Sequence, residues 1–197
     1  MESLRYLVAL GLVVALPPLF LYWLLIHPLV HFWRARGIAL TYTIVLTAVA
    51  LAMMGLFSIR HYLLETDFGT RYPLVALGTA CLALSAAMGF ALRGRATIAV
   101  FLGLPEIAPD FYPRKLMTEG IYGRIRHPRY VQILIALVGY SLIANYLASY
   151  LIVALWVPAV YIIVCLEEKE LREHFGAAYE DYCREVPRFV PRLRGKR

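Results

Sequence analysis

Charged residues are scarce in this 197-residue chain: they make up 17% of it, and hydrophobic residues 61%. An average soluble domain has about 25% and 45–50%, respectively. The apolar residues form runs at 4–26, 38–59 and 74–92, among which Arg5 is the one charged residue. Each run is near the roughly 20 residues that cross a bilayer core. The sequence therefore excludes an ordinary soluble domain and predicts membrane spans.

Cysteine is also scarce. The three cysteines form no Cys-x-x-Cys pair, so we expect neither a disulfide framework nor a metal site. His27 and His31 have a spacing that could suit a metal, but Pro28 and a span boundary favour interfacial histidines. The net charge of +7 does not predict nucleic-acid binding, because in a membrane protein the distribution of Lys and Arg matters more than their sum.

Two further apolar segments, residues 130–143 and 149–166, bring the expected number of spans to five. The first run is longer than a signal peptide's apolar region and no small-x-small cleavage site follows it, so we expect it to remain as a membrane helix. The prediction is an all-α polytopic membrane protein, residues 1–197 forming one integral membrane domain.

The basic residues predict its orientation. With five spans, the N-terminus, the loop at 60–72 and the turn at 144–148 share one side, which holds only Arg5, Arg60 and Arg71. The other side holds the remaining 17 Lys and Arg residues. By the positive-inside rule the N-terminus lies outside and the C-terminal half faces the cytoplasm.

The fourth segment is short: 14 residues reach about 21 Å. It must tilt, continue through Asn145 and Tyr146, or stop partway. Together with the fifth segment it predicts a helical hairpin that brings residues 124–130 close to Glu167 and Glu168. The fifth helix should run on to a C-terminal cap at Gly176, and residues 177–186 should form a cytoplasmic amphipathic helix.

The stretch 120–132 concentrates polar and cationic residues between apolar segments. Pro128 disfavours helix at His127 and suits the first turn of the helix that follows. The backbone amides of Arg129, Tyr130 and Val131 should then be free to bind an anion such as a carboxylate. Gly120 and Gly123 let the preceding loop approach a ligand closely.

Two adjacent glutamates follow the fifth apolar run, where a carboxylate is costly without a partner. For Glu167 we expect a ligand cation or ribose hydroxyls. Glu168, Glu170 and Glu173 are expected on solvated helix surface, with an ion pair to Arg124, Arg126 or Arg129 as the alternative. An anion site facing a carboxylate suits a zwitterionic cofactor.

Three motifs in the last 85 or so residues resemble the isoprenylcysteine carboxyl methyltransferase family. They are Lys115-Leu116-Met117-Thr118-Glu119-Gly120-Ile121-Tyr122, then Arg126-His127-Pro128-Arg129-Tyr130, then Glu167-Glu168-x-x-Leu171 continuing through Phe175-Gly176, Tyr179, Tyr182 and Val186-Pro187-Arg188-Phe189-Val190-Pro191. The resemblance implies a membrane methyltransferase that uses S-adenosylmethionine, with residues 1–92 as three N-terminal spans and 93–197 as the cofactor-binding catalytic half. It also implies a membrane-side opening for a lipophilic acceptor.

Carried over by position, the resemblance places cofactor contacts at Arg114, Lys115, Leu116, Met117, Tyr122, His127, Pro128, Arg129, Tyr130 and Glu167. Two positions depart from the family. Gln132 replaces a common glycine, and Ile163 replaces an arginine thought to hold the substrate carboxylate. Arg126, Arg129 or Arg184 could substitute for it, and a different lipid, isoprenoid or small hydrophobic acceptor is an equal alternative to prenylcysteine.

Direct displacement at the sulfonium methyl depends mainly on alignment, and we expect His127, Tyr122 and Arg126 as catalytic residues. His127 and Tyr122 are the candidate general bases for an amine or phenol acceptor. Three alternatives remain: a phospholipid N-methyltransferase, an NADPH-dependent sterol-reductase-like enzyme, and a non-catalytic scaffold that binds anionic lipid.

Overall fold

The computed structural model describes residues 1–26, 28–93 and 116–192. These residues form helices and no strand, with one isolated bridge between Asp67 and Tyr146. The elements in chain order are α1 (Glu2–Ile26), α2 (Val30–Arg34), α3 (Ile38–Ser58), α4 (Arg60–Leu63), α5 (Tyr72–Ala91), a 3-10 turn (Gly120–Gly123), α6 (Pro128–Ala144), α7 (Leu147–Phe175) and α8 (Ala177–Glu185). His27, Arg114 and Lys115 lie outside the described residues.

Four of these helices, α1, α3, α5 and α7, are long and apolar enough to cross a membrane, and α6 is a shorter apolar helix. The prediction of an all-α polytopic membrane protein is therefore confirmed. Helix α7 runs on to Phe175, and Gly176 caps it with a φ of 56° that favours glycine. The short helix α8 follows with Tyr179 and Tyr182 buried, as its amphipathic pattern predicts.

The short fourth segment resolves as α6, which spans 17 residues. It begins at Pro128, two residues before the apolar run, because proline needs no amide partner at a first helical position. It does not continue through Asn145 and Tyr146: Asn145 takes the left-handed conformation, with φ 56° and ψ 44°, and ends the helix. Its length at 1.5 Å per residue is about 26 Å.

Helix α1 lies at the centre of the bundle and packs against α3, α6 and α7. Helix α6 also packs against α5, and the two backbones meet at Gly78 and Gly139. A Cβ atom on Gly78 would lie 2.6 Å from the carbonyl oxygen of Gly139. Small residues at such a crossing let membrane helices approach closely. Any side chain at these two positions would force α5 and α6 apart.

One end of the bundle, which we call the Asp67 end, is held together by Arg5 of α1. Its buried guanidinium donates to the carbonyl of Ala144 at 3.1 Å and to the carboxylate of Asp67. Burial alone would raise the pKa of Asp67, but hydrogen bonds from the Gly69 amide and from Arg5 hold that pKa below its usual value. The predicted grouping of the N-terminus, the 60–72 loop and the 144–148 turn on one side is confirmed.

The opposite end, which we call the Glu168 end, collects the start of α6, the last turns of α7, and α8. The segment that follows α8 completes it: Arg126 and His127 donate their backbone amides to the carbonyls of Pro187 and Arg188, at 2.8 and 3.0 Å. The chain just before α6 is thereby pinned to the chain just after α8. Which end faces the cytoplasm stays a prediction from charge distribution.

Candidate active site

Glu168 is the centre of the Glu168 end. Its side chain has no exposed surface, although it stands in the last turns of a membrane helix. Three guanidinium groups donate to it, Arg126 at 2.9 Å, Arg188 at 2.8 Å and Arg172 at 3.5 Å, and His127 Nε2 lies within hydrogen-bond distance at 3.1 Å. Several charge-assisted bonds compensate for the cost of burying a carboxylate.

The expectation that Glu168 lies on solvated helix surface is therefore wrong. Successive residues of a helix point about 100° apart, so Glu167 and Glu168 cannot share one environment. Helix α7 turns Glu168 towards Arg126 and Arg188, and the alternative of an ion pair with Arg126 is the one observed. Glu173, one and a half turns later, is exposed as predicted.

Glu167 lies at the edge of the site, and 34% of its side chain is exposed. The hydroxyl of Tyr130 donates to its Oε2 at 2.9 Å. His127 Nδ1 lies 3.8 Å from the same oxygen, which is too long for a hydrogen bond. The predicted proximity of residues 124–130 to the two glutamates is confirmed, and His127 stands between the two carboxylates.

Stacking and hydrogen bonds hold the His127 ring in place. The ring lies against Tyr130 and Phe189, with centroids 5.8 and 6.0 Å apart, and only 5% of the residue is exposed. Its Nε2 contact to Glu168 fixes the rotation of the ring. Phe189 and Arg188 were not among the predicted site residues, although both stand in the C-terminal motif that the sequence offered.

Arg126 is fully engaged in holding the fold. Besides Glu168, its guanidinium donates to the backbone carbonyls of Cys183 and Val186 at 3.1 and 2.5 Å. Arg188 is also anchored, and hydrogen bonding to Glu168 raises the pKa of its guanidinium above the usual value. These contacts favour a positioning role for Arg126 in place of direct contact with an acceptor.

Helix α8 covers the site from the side. Tyr179, Tyr182 and Val186 form a buried cluster, and Leu116 is among the residues packed against it. The Tyr182 hydroxyl donates to the carbonyl of Tyr122 at 2.7 Å, and burial raises the pKa of Tyr182 to about 12. Tyr122 is thus fixed near the start of α6, and it is itself buried.

Arg129 contrasts with its neighbours. It stands in the first turn of α6, is half-buried, and makes no hydrogen bond or ion pair with any residue that the structure describes. Free backbone amides were predicted at Arg129, Tyr130 and Val131. The amide of Val131 is not free, because it donates to the carbonyl of His127 at 3.4 Å. This is the first bond of the helix, so any free amides belong to Arg129 and Tyr130.

Other predicted positions lie away from this site or in its wall. Gln132 turns towards α5, where its side-chain nitrogen lies 3.4 Å from Ser85 Oγ and its side-chain oxygen Oε1 is buried without a partner among the described residues. Ile163 is buried in the core, and Arg184 forms an exposed ion pair with Asp181. Met117 is half-buried.

Comparison with known proteins gives a family match and two partial relatives. A family described as phospholipid methyltransferase matches residues 73–178. Methanethiol S-methyltransferase 2 of Bradyrhizobium diazoefficiens is 40% identical over 82 residues, which are 41% of this chain and 30% of that protein. Delta(14)-sterol reductase TM7SF2 of Mus musculus is 29% identical over 89 residues, which are 44% of this chain and 21% of that protein. The chain thus covers less than a third of either relative. No solved structure matches.

Proposed function

Because this chain belongs to the phospholipid methyltransferase family, with more than half of its length matched, we propose that it transfers a methyl group from S-adenosylmethionine to a lipophilic or small hydrophobic acceptor at the membrane. The family and the methanethiol S-methyltransferase relative support a membrane methyltransferase. The observation that carries the cofactor assignment is the presence, at the start of α6, of a cation that contacts no described residue, Arg129, next to Tyr130, which contacts the accessible carboxylate of Glu167.

These residues fit the charges of the cofactor. Arg129 and the first amides of α6 would hold its carboxylate, and Glu167 would hold its ammonium group or ribose hydroxyls. Bound there, the cofactor would supply an electrophilic methyl group on a sulfonium centre. Tyr130 orients Glu167, while Tyr122, Leu116 and Met117 would form the wall. Lys115 remains a candidate contact from sequence alone.

Carboxyl O-methylation is the less supported form of this activity. A substrate carboxylate needs a cation of its own, and Ile163 supplies none. Arg126 and Arg184 are already paired, and Arg129 is the cation we assign to the cofactor. A neutral acceptor makes no such demand. The named acceptor of the bacterial relative, methanethiol, makes small thiols the first class to test.

Binding measurements on the purified protein in detergent test the cofactor assignment. We expect S-adenosylmethionine and its demethylated product to bind, because both carry the carboxylate that we assign to Arg129 and the ammonium group and ribose hydroxyls that we assign to Glu167. Isothermal titration calorimetry with NADPH is the matched comparison, since the mouse sterol reductase favours a reductase as the second candidate. Tight NADPH binding, without binding of S-adenosylmethionine or its demethylated product, would make a reductase the better-supported function. Transfer of labelled methyl into a total lipid extract then identifies the acceptor class.

An apolar groove between α1 and α7 supports a lipophilic acceptor. It encloses about 400 Å³ and is lined by Pro17, Phe20, Ile152, Leu155, Trp156, Pro158, Ala159 and Ile162. Trp156 and Glu167 are separated by about three helical turns, or roughly 16 Å, so they lie on nearly the same side of α7. We infer that this groove, on the same helix as the site, is the acceptor's route from within the membrane.

Ala159→Phe should obstruct this groove. We expect methyl transfer to lipophilic acceptors to fall by about tenfold or more, since a loss of 1.4 kcal/mol in acceptor binding has that effect, while cofactor affinity stays unchanged. Ala154→Phe is the matched control, because Ala154 lies on the exposed surface of the same helix. Equal rates in the two variants, measured with a labelled cofactor, would exclude the groove as the acceptor route.

A further inference from the structure

The contacts of His127 determine which of its ring nitrogens carries the proton. Nε2 lies 3.1 Å from Glu168 Oε1. Arg126, Arg172 and Arg188 also donate to Glu168, which keeps this carboxylate ionised, and an ionised carboxylate only accepts hydrogen bonds. Nε2 must therefore be the donor. In the neutral ring the lone pair then belongs to Nδ1.

Nδ1 points to the edge of the site. It faces Glu167 Oε2 across 3.8 Å, and the same oxygen already accepts from Tyr130. In the neutral ring, two acceptor atoms thus face each other without a hydrogen between them. A protic ligand beside Nδ1 would supply the missing hydrogen.

We propose that Glu168 holds His127 as the Nε2–H tautomer, and that Nδ1 removes the proton of a protic acceptor, of which thiols are the class to test, during methyl transfer. This inference rests on the proposed function. Glu168 is then a positioning residue and His127 a catalytic one. An acceptor that arrives already ionised has no proton for Nδ1 to remove and does not need this base.

The acceptor sulfur forms a bond to the methyl carbon, the methyl–sulfonium bond breaks and leaves its electron pair on the released thioether, and the acceptor proton moves to Nδ1 and then to water. A neutral thiol is a poor nucleophile and its thiolate a good one. A positioned base therefore matters most for thiols of high pKa.

Charged and titratable groups surround His127 and its partner Glu168 on the elements packed against them. They are Arg126 and Tyr130 on its own segment, Glu167, Glu168 and Arg172 on α7, Arg188 on the C-terminal segment, and Tyr179 on α8.

The tautomer can be measured without any cofactor. Nitrogen NMR of the wild-type protein labelled with ¹⁵N-histidine should show one ring with a protonated Nε2 and an unprotonated Nδ1 at neutral pH. The chain has five histidines, so the spectrum of His127→Gln identifies the signal by its disappearance. A ring protonated at Nδ1, or at both nitrogens, would overturn the proposal.

His127→Gln tests the base itself, because glutamine can still donate to Glu168 but has no basic nitrogen. At saturating cofactor, which removes any effect of His127 as a cofactor contact, we expect methylation of alkyl thiols at neutral pH to fall by about 10²–10⁴-fold. The defect should shrink for more acidic aryl thiols and at higher pH. His174→Gln, an exposed position on α7, is the control.

An equal loss for all thiols would contradict the base role. If the variant fails to fold, the wild-type NMR result still decides the tautomer. Absence of cofactor binding in the wild-type protein would instead remove the proposed function, so the two failures are distinct.

Discussion

Replacement of Glu168 by alanine should lower the free energy of unfolding by about 3–5 kcal/mol, the usual cost of leaving buried charge without its partner. The side chain is fully buried, and three guanidinium groups converge on it. Alanine would leave Arg126 and Arg188 facing each other with no anion between them. Arg126 also holds the carbonyls of Cys183 and Val186, so α8 should loosen together with the start of α6.

Denaturant unfolding in detergent, followed by intrinsic fluorescence, measures this loss. Glu173→Ala is the matched control, because Glu173 lies on the same helix and is exposed, and we expect it to change stability by no more than about 0.5 kcal/mol. Equal stability of the two variants would mean that Glu168 does not organise this end of the bundle. Cofactor binding should be lost in Glu168→Ala as a consequence of the structural change.

The membrane helices could be predicted from the sequence because their signal is local. A run of about 20 apolar residues has few alternatives to a span, and Gly176 and the tyrosines of α8 mark the end of α7 in the same local way. The grouping of loops at the Asp67 end followed from the number of spans alone. Arg5 completes that end by a contact with residues more than 60 positions away, which no local pattern indicates.

The roles of the two glutamates could not be predicted, because they depend on how far α7 is rotated about its axis. Both residues follow an apolar run, and both can be paired or solvated. The tertiary contact of α7 with the chain after α8 decides that Glu168 is buried and Glu167 accessible. Gln132 is a similar case: it ends the polar 120–132 stretch, and only the packing of α6 on α5 shows that it turns towards Ser85.

The roles of the arginines also could not be predicted from the sequence. By composition and spacing, Arg126 and Arg129 are equivalent candidates for an anion site. Only the structure separates them, since Arg126 is bound to Glu168 and two carbonyls, whereas Arg129 is half-buried and contacts no charged partner among the described residues. A cation beside a helix start, with no charged partner in the described part of the chain, is the feature that we assign to cofactor binding.

Arg129→Ala and Glu167→Ala should each weaken S-adenosylmethionine binding by about 10- to 150-fold, which corresponds to the roughly 1.5–3 kcal/mol of a hydrogen bond to a charged group. Neither change should unfold the protein, since 34% of the Glu167 side chain is exposed and Arg129 has no described partner to lose. Calorimetric titration of the purified variants gives both affinities, and Arg184→Ala, in an exposed ion pair on α8, is the control.

The double variant separates two explanations for these losses. If Arg129 holds the carboxylate and Glu167 holds the ammonium group or ribose, they contact different groups of one ligand, and their free-energy losses should add within about 0.5 kcal/mol. A double variant no weaker than either single variant would mean that both act through one contact. Unchanged affinity in Arg129→Ala would mean that the cofactor carboxylate does not bind at the start of α6. The half-buried position of Arg129 would then have no explanation in cofactor binding.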